Sequence, residues 1–336
     1  MKHVNIPVFI PHLGCPNGCV FCNQRSISGK QSFDIEAMEQ DIRQVLSTVT
    51  RPCDVEIAFF GGSFTGIDRG LMLSLLDRAE RFVKEGSVDA IRLSTRPDYI
   101  DAEVLEILSR YSVKTVELGL QSMDDSVLAA AKRGHTAEDG KRACALVRQY
   151  GFSLIGQMMV GLPGADVESE IHTATVLCDL GVDGARVYPT VVFEDTELCD
   201  MAKAGRYRPL EQEEAVMRTK AVLDVFRKRD VPCIRVGLCA SENLASDKVW
   251  GGASHSAIGE LAMGEIFYEE ICRRLDEKGD VKGKTVLISV AKGAVSRAVG
   301  QKRVNLERIY KKYLPLRVKV LEKNELMRYN IIIDII

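Results

Sequence analysis

Seven short runs rich in β-branched and aromatic residues punctuate the first 238 residues: Val4–Ile10, Val55–Phe60, Ala90–Ser94, Val113–Leu118, Phe152–Val160, Asp183–Tyr188 and Cys233–Leu238. Longer stretches of helical period separate them. In "DIEAMEQDIRQVLSTV", for example, Ile35, Met38, Ile42, Val45 and Leu46 recur at i, i+3 and i+4 spacing, which places one apolar stripe on a helix. Strand and helix in strict alternation is the pattern of βα units around a parallel sheet. Seven such units predict an α/β fold built as an open or partial (β/α) TIM-like barrel.

In such a barrel the segments that follow the strands share one rim, the carboxyl end, where sites are built. Here they read "PHLGCPNGCVFCNQRSISGK" (11–30), "GGSFTG" (61–66), "TRPDYI" (95–100), "GLQSMDD" (119–125), "GLPG" (161–164) and "YPTVVFEDT" (188–196). Glycine-rich backbone at a rim lets a ligand approach closely. The first segment concentrates Cys15, Cys19 and Cys22. No apolar run reaches the ~18 residues of a membrane span, and the N-terminal apolar run is too short for a signal peptide, so a cytoplasmic protein is expected. Its ten cysteines are then thiols, and a cluster of three points to metal or catalysis. Cys53, Cys144, Cys178, Cys199 and Cys272 stand singly among apolar residues and read as buried, inert thiols. Cys233 and Cys239 are a second candidate metal pair, but their spacing is unusual and nothing else recruits them, so they read as ordinary thiols.

Three thiolates can hold three corners of a cubane [4Fe–4S] cluster and leave the fourth iron open. Structural zinc closes four positions and would need Cys53 or His12 as well. The spacing C-x3-C-x2-C, with Phe21 before the last cysteine and a first barrel strand in front, resembles the radical S-adenosylmethionine superfamily, over roughly residues 4 to 270. In that family the methionyl group of S-adenosylmethionine chelates the open iron, one electron cleaves the sulfonium, and a 5′-deoxyadenosyl radical takes hydrogen from the substrate. The resemblance implies that Cys15, Cys19 and Cys22 ligate the cluster and that Phe21 packs near the adenine. It implies that Gly61, Gly62 and Ser63 meet the methionyl amine, that Glu117 and Gln121 reach the ribose or carboxylate, and that "MMVGLPG", with Gly161, lies along the adenine. Arg186 is the candidate for the methionyl carboxylate or the sulfonium side, and with Tyr188 it makes the candidate catalytic pair. As an alternative, Glu117 and Arg186 pair across the barrel mouth as a structural bridge.

Within the superfamily the chain is most similar to the radical domain of the catalytic subunit of Elongator, which modifies tRNA wobble uridine. The similarity lies in "GGSFTG", "STRPDYI", "ELGLQSMDDSVL", "KRGHT", "GLPG", "RVYPTVVFEDTEL", "AGRY" and "SHSAIGELA", the last with His255 and Glu260. Nothing after residue 270 resembles the acetyltransferase domain of Elongator. A weaker likeness, through "GLQS" and "RGHT", runs to the oxygen-independent coproporphyrinogen oxidases.

Charge separates the end of the chain from the rest. Residues 273–328 hold 16 Lys and Arg against 6 Asp and Glu, whereas the remainder holds 29 against 41. A basic tail on an acidic body suits a polyanion, the alternative being a solvated helical face. Residues 284–336 predict strand, helix, tight turn, helix, and a closing hairpin around Asn324. That order resembles a KH domain, whose GXXG turn clamps nucleic-acid backbone. Gly300, Gln301, Lys302 and Arg303 would form the turn, with arginine in place of the second glycine. The expected organisation is a partial barrel over 1–278 and a small α+β KH-like domain over 279–336, the latter binding RNA or only capping the barrel. The function expected is radical S-adenosylmethionine chemistry on a base in tRNA or other structured RNA, with a flavodoxin or ferredoxin as reductant and neither membrane nor DNA as partner. The alternatives are a porphyrin-like small-molecule substrate, or an RNA-binding protein with a redox-sensing cluster.

Overall fold

A computed structural model describes residues 2–10, 14–15, 18–22, 33–238 and 248–336. His12 and Cys239 lie outside the described residues. The chain divides into two compact units, residues 1–210 with 225–254 and residues 211–224 with 255–336.

The first unit is the expected half-barrel. Its strands are β1 (Lys2–Phe9), β2 (Cys53–Phe60), β3 (Ala90–Thr95), β4 (Val113–Gln121), β5 (Ser153–Val160), β6 (Gly184–Pro189), β7 (Val191–Phe193), β8 (Cys233–Val236) and β9 (Val249–Gly252). Seven run parallel in the order β1-β2-β3-β4-β5-β6-β8, which are the seven predicted from the sequence. Sheet order leaves β1 and β8 as the two open edges. The short strands β7 and β9 pair antiparallel as a separate ribbon that the sequence pattern did not announce. Three- and four-residue strands carry too few residues to show a period.

The helices of this unit are α1 (Ile35–Thr48), α2 (Arg69–Lys84), α3 (Ala102–Leu108), α4 (Asp125–Ala130), α5 (Ala137–Gln149), α6 (Val167–Asp179) and α7 (Glu197–Lys203). Each begins at a side-chain cap: Asp34, Asp68, Asp101, Asp124, Thr136, Asp166 and Thr196 accept from backbone N–H groups of the first turn. A cap contributes about 1 kcal/mol, and here it also fixes where each helix-initiating loop ends. The helices turn apolar faces inward, α2 burying Met72, Leu75, Leu76, Ala79 and Phe82. α8 (Gln212–Lys228) follows. No helix among the described residues is long and apolar enough to cross a membrane.

The second unit contains α9 (Ile258–Lys278), β10 (Thr285–Ala291), α10 (Val295–Val299), α11 (Val304–Tyr313), β11 (Arg317–Lys323) and β12 (Ile331–Ile335). The division therefore falls before α9 and not after Lys278. The buried residues of α9, among them Ala262, Ile266, Phe267, Ile271 and Leu275, lie on a helix that packs on α10, α11 and β12. The closing hairpin around Asn324 does not form. β11 pairs parallel to β10 on one side and β12 antiparallel to it on the other. The reason is burial: β10 hides Val286, Ile288 and Val290 completely and takes the centre, while β11 has no buried residue and suits an edge.

Candidate active site

The cysteine loop is fastened to the rim by its backbone. Gly14 has φ +72°, and a Cβ there would stand 2.4 Å from the Ser63 carbonyl oxygen; a Cβ on Gly66 would stand 2.6 Å from the Gly14 oxygen. The first loop therefore lies directly on the "GGSFTG" turn, where only glycine fits. Val20 N–H donates to the Ala131 carbonyl at 3.2 Å, and the Val20 carbonyl accepts from Leu198 N–H at 2.8 Å. Phe21 packs against two buried clusters, one containing Val20, Val192, Leu198 and Cys199, the other Val127, Ala131 and Leu162. The loop is thus tied to the loops that follow β2, β4, β5 and β6.

Cys19 is buried, Cys15 and Cys22 are half-buried, and Cys22 N–H donates to the Cys19 carbonyl at 3.0 Å. Among the described residues no three His, Cys, Asp or Glu side chains converge on a point as ligands of a single ion do. A cubane takes one thiolate per iron, so its ligands need not converge in that way. Cys53 cannot complete a zinc site. It opens β2, opposite Lys2 at the start of β1, so a strand length of roughly 25 Å separates it from the rim.

The glycine turn after β2 has the geometry of a close approach. Gly61 has φ +103°, and a Cβ there would meet the Ile10 backbone at 3.2 Å. Ser63 Oγ and Thr95 Oγ1 are 2.8 Å apart, Arg96 N–H donates to Ser63 Oγ at 3.1 Å, and Thr65 Oγ1 lies 2.6 Å from Thr95 Oγ1. This network joins the loops after β2 and β3.

Two arginines that the sequence reading did not single out converge on Cys19. Arg133 Nη1 is 3.2 Å from Cys19 Sγ, and its Nη2 donates to the Gly119 carbonyl at 2.6 Å. Arg96 Nη1 is 3.9 Å from the same sulfur, while Nε and Nη2 grip both oxygens of Asp98 at 2.9 and 2.8 Å. Burial works against the Arg96 charge, but Asp98 and the cysteines more than offset it and hold its pKa above the ordinary value. His135, in the same "KRGHT" segment, is buried, with Nε2 3.2 Å from the Leu120 carbonyl. Burial first, then the Arg133 charge, depresses its pKa to about 4.

Glu117 and Arg186 pair with each other, the alternative the sequence left open. Glu117 is fully buried. Its Oε1 accepts from Arg92 Nη1 at 3.0 Å and Arg186 Nη2 at 2.9 Å, and its Oε2 accepts from Gln157 Nε2 at 3.0 Å. Arg92 Nε continues to Glu56 at 2.8 Å. Arg186 lies over the Phe60 ring at 5.2 Å and its Nη1 donates to Tyr188 OH at 3.3 Å. Burial pushes the Tyr188 phenol up against the pull of Arg186. Gln121 closes β4 at φ +67° beside a register shift. Gly161, at φ +82°, has its N–H bonded to Glu170 Oε1 at 2.6 Å and its carbonyl to Tyr207 OH at 2.6 Å. Gly300, Gln301, Lys302 and Arg303 lie in the other unit. There Lys302 and Arg303 are exposed and adopt left-handed conformations at the start of α11.

The residues present fit a cubane cluster and S-adenosylmethionine. The donor set is three thiol side chains on one rim loop, and Arg133 Nε is buried with no hydrogen-bond partner among the described residues, leaving a donor for a bound group. Residues 9–176 match the Radical SAM superfamily, and residues 182–266 match the Radical_SAM C-terminal domain. A tRNA uridine(34) acetyltransferase of Methanocaldococcus jannaschii is 28% identical, over 60% of this chain and 45% of that protein. Elongator complex protein 3 of Homo sapiens is 29% identical, over 52% of this chain and 32% of that protein. The chain thus spans less than half the length of these relatives. The N-terminally truncated Elp3 of Methanocaldococcus infernus superposes with a TM-score of 0.60 at 21% identity, over 83% of this chain and 63% of that one, which shows a shared fold. A match over half the sequence, on a parallel half-barrel with three rim cysteines, makes this enzyme a member of the Radical SAM superfamily, whose cofactors are a [4Fe–4S] cluster and S-adenosylmethionine.

Proposed function

We propose that the chain modifies a base in tRNA or another structured RNA by reductive cleavage of S-adenosylmethionine. The observation that carries this reading is the convergence of the cysteine loop, the Gly61–Gly62–Ser63 turn and two buried arginines at the carboxyl rim of β1 to β4. Bound there, the cluster and S-adenosylmethionine supply one-electron cleavage of the sulfonium and a 5′-deoxyadenosyl radical that takes a hydrogen atom from the substrate.

Cys15, Cys19 and Cys22 would hold the cluster, and the backbone of Gly61 and Gly62 would receive the methionyl amine. Phe21 and the segment from Met158 to Gly161 would bound the adenine. Gln121 would reach the ribose. Arg186 and Tyr188 would face the reacting end, with Glu117 fixing the Arg186 guanidinium through its two oxygens. In the second unit, the exposed Lys302 and Arg303 would contact phosphates. The names of the tRNA uridine(34) acetyltransferases support a uridine as the target base. A flavodoxin- or ferredoxin-type protein would deliver the electron.

Anaerobic reconstitution with iron and sulfide, then dithionite, S-adenosylmethionine and unmodified tRNA, tests the reading. The expected result is 5′-deoxyadenosine by mass spectrometry, lost in Cys19→Ala, with a mass change on a tRNA uridine. A reducible cluster that yields no 5′-deoxyadenosine with tRNA present overturns it.

A further inference from the structure

Cysteinyl sulfurs that bind an iron–sulfur cluster are not electronically inert. Hydrogen bonds to them, nearby charge and exclusion of water set the potential at which the cluster accepts an electron. A positive charge held beside a thiolate stabilises the more negative, reduced state more than the oxidised one. Cys19 is the buried member of the three cysteines, at 6% exposure, and both arginines beside it are equally buried, Arg133 at 5% and Arg96 at 4%.

The backbone directs Arg133 to this position. It sits between Lys132 at φ +52° and Gly134 at φ +74°, so the chain reverses sharply on both sides of it. Its N–H is bonded to the Leu128 carbonyl at 2.9 Å, and its carbonyl accepts from Arg96 Nη2. One fork of the guanidinium is taken by the Gly119 carbonyl, the other points at Cys19 Sγ at 3.2 Å. Asp98 neutralises Arg96 through two hydrogen bonds. Two guanidinium charges against one carboxylate leave a net positive charge beside Cys19, close to one supplied by Arg133.

We infer that Arg133 is a positioning residue that tunes the cluster, donating to the Cys19 thiolate and raising the cluster's reduction potential, with Arg96 locking it in place. This rests on the assignment of Cys19 as a cluster ligand. A residue that only ties loops together would leave the potential unmoved.

The test is an EPR-monitored redox titration of the reconstituted full chain, wild type against Arg133→Met, with iron and sulfide measured on the same samples. The step read is one electron passing from dithionite to the bound cluster, with no proton transferred and no bond broken. Arg133→Met is expected to lower the reduction equilibrium constant about tenfold, which for a one-electron couple is ~59 mV downward. An unchanged potential at full iron loading overturns the inference and leaves the cluster assignment standing. A wild-type chain that forms no cluster overturns both. Should Arg133→Met not retain four irons per chain, Arg133→Lys decides. It keeps a charge but loses the planar fork that reaches Gly119 and Cys19 together, so a smaller downward shift supports the inference and an unmoved potential overturns it.

Discussion

His135 shows how one buried ring couples the rim to solution pH. With Nε2–H donating to the Leu120 carbonyl and Nδ1 buried without a partner among the described residues, the neutral imidazole is the form this site accommodates. Burial and the Arg133 charge lower its pKa to about 4, with Arg96 acting in the same direction and Asp98 opposing. In the unfolded chain the ring titrates at about 6.5, so below that pH the unfolded state binds a proton that the folded state refuses. The stability tied to neutral His135 is therefore complete above about pH 6.5 and falls away as pH drops toward 4. Between pH 7 and 5 the loss is about 2 kcal/mol. Urea unfolding of the cluster-free chain at the two pH values measures it, and His135→Gln is expected to remove most of that pH dependence. The sequence carried part of this: "KRGHT" stood out as a segment, but nothing in its spacing shows that Arg133 and His135 turn inward. That follows from the left-handed residues on either side of Arg133, which no local pattern announces.

At the level of elements, strands were legible and their interior chemistry was only half so. Each of β2 to β6 is an apolar run broken by polar residues, and Glu56, Arg92, Glu117, Gln157 and Arg186 form one connected chain of ion pairs and hydrogen bonds. Glu117 and Arg186 stand out in the sequence through the resemblance to the radical S-adenosylmethionine family and not through the strand pattern, in which Glu56 and Arg92 are charged as well. Their connection through Arg92 and Gln157 needs the register between strands, and that is a tertiary fact. The same holds in the second unit, where the pattern gave the right elements but paired β11 with β12, because periodicity does not say which strand takes the centre. Loops follow a different rule, since glycine marks where backbones touch. Gly14→Ala would place a methyl group against the Ser63 carbonyl at 2.4 Å and force a left-handed alanine. The strain of about 1 kcal/mol is small beside the overlap, so the cysteine loop should lift from the "GGSFTG" turn. Expected are a large loss of bound iron after reconstitution and an unchanged far-UV circular dichroism spectrum. Full iron loading would show that the loop tolerates displacement from that turn.

Across the whole molecule, charge is divided between an acidic first part and a basic end, and the turn at Gly300 to Arg303 is where the basic end is structurally unusual. Lys302 and Arg303 are both left-handed, at φ +52° and +66°, a conformation glycine adopts freely and other residues hold at roughly 1 kcal/mol each. Arg303 therefore holds a backbone shape that glycine would adopt without strain and presents an exposed cation at the start of α11. On the proposed contact with RNA, stability and RNA binding should respond in opposite directions to one substitution. Arg303→Gly should leave the fold as stable or up to about 1 kcal/mol more so, yet weaken RNA binding. Combined with Lys302→Gln, it would remove the two proposed phosphate contacts, and the slope of log K against log salt should flatten by about 1.4 to 1.8, at ~0.7 per contact for a single strand and ~0.9 for a duplex. Filter binding of tRNA across a salt series, beside thermal unfolding of the same variants, reads both quantities. A turn that only caps the fold would show the gain in stability with no change in slope. Flattening together with preserved or raised stability would mean that the arginine is kept for the charge it presents, at a cost in backbone strain that the fold itself does not require.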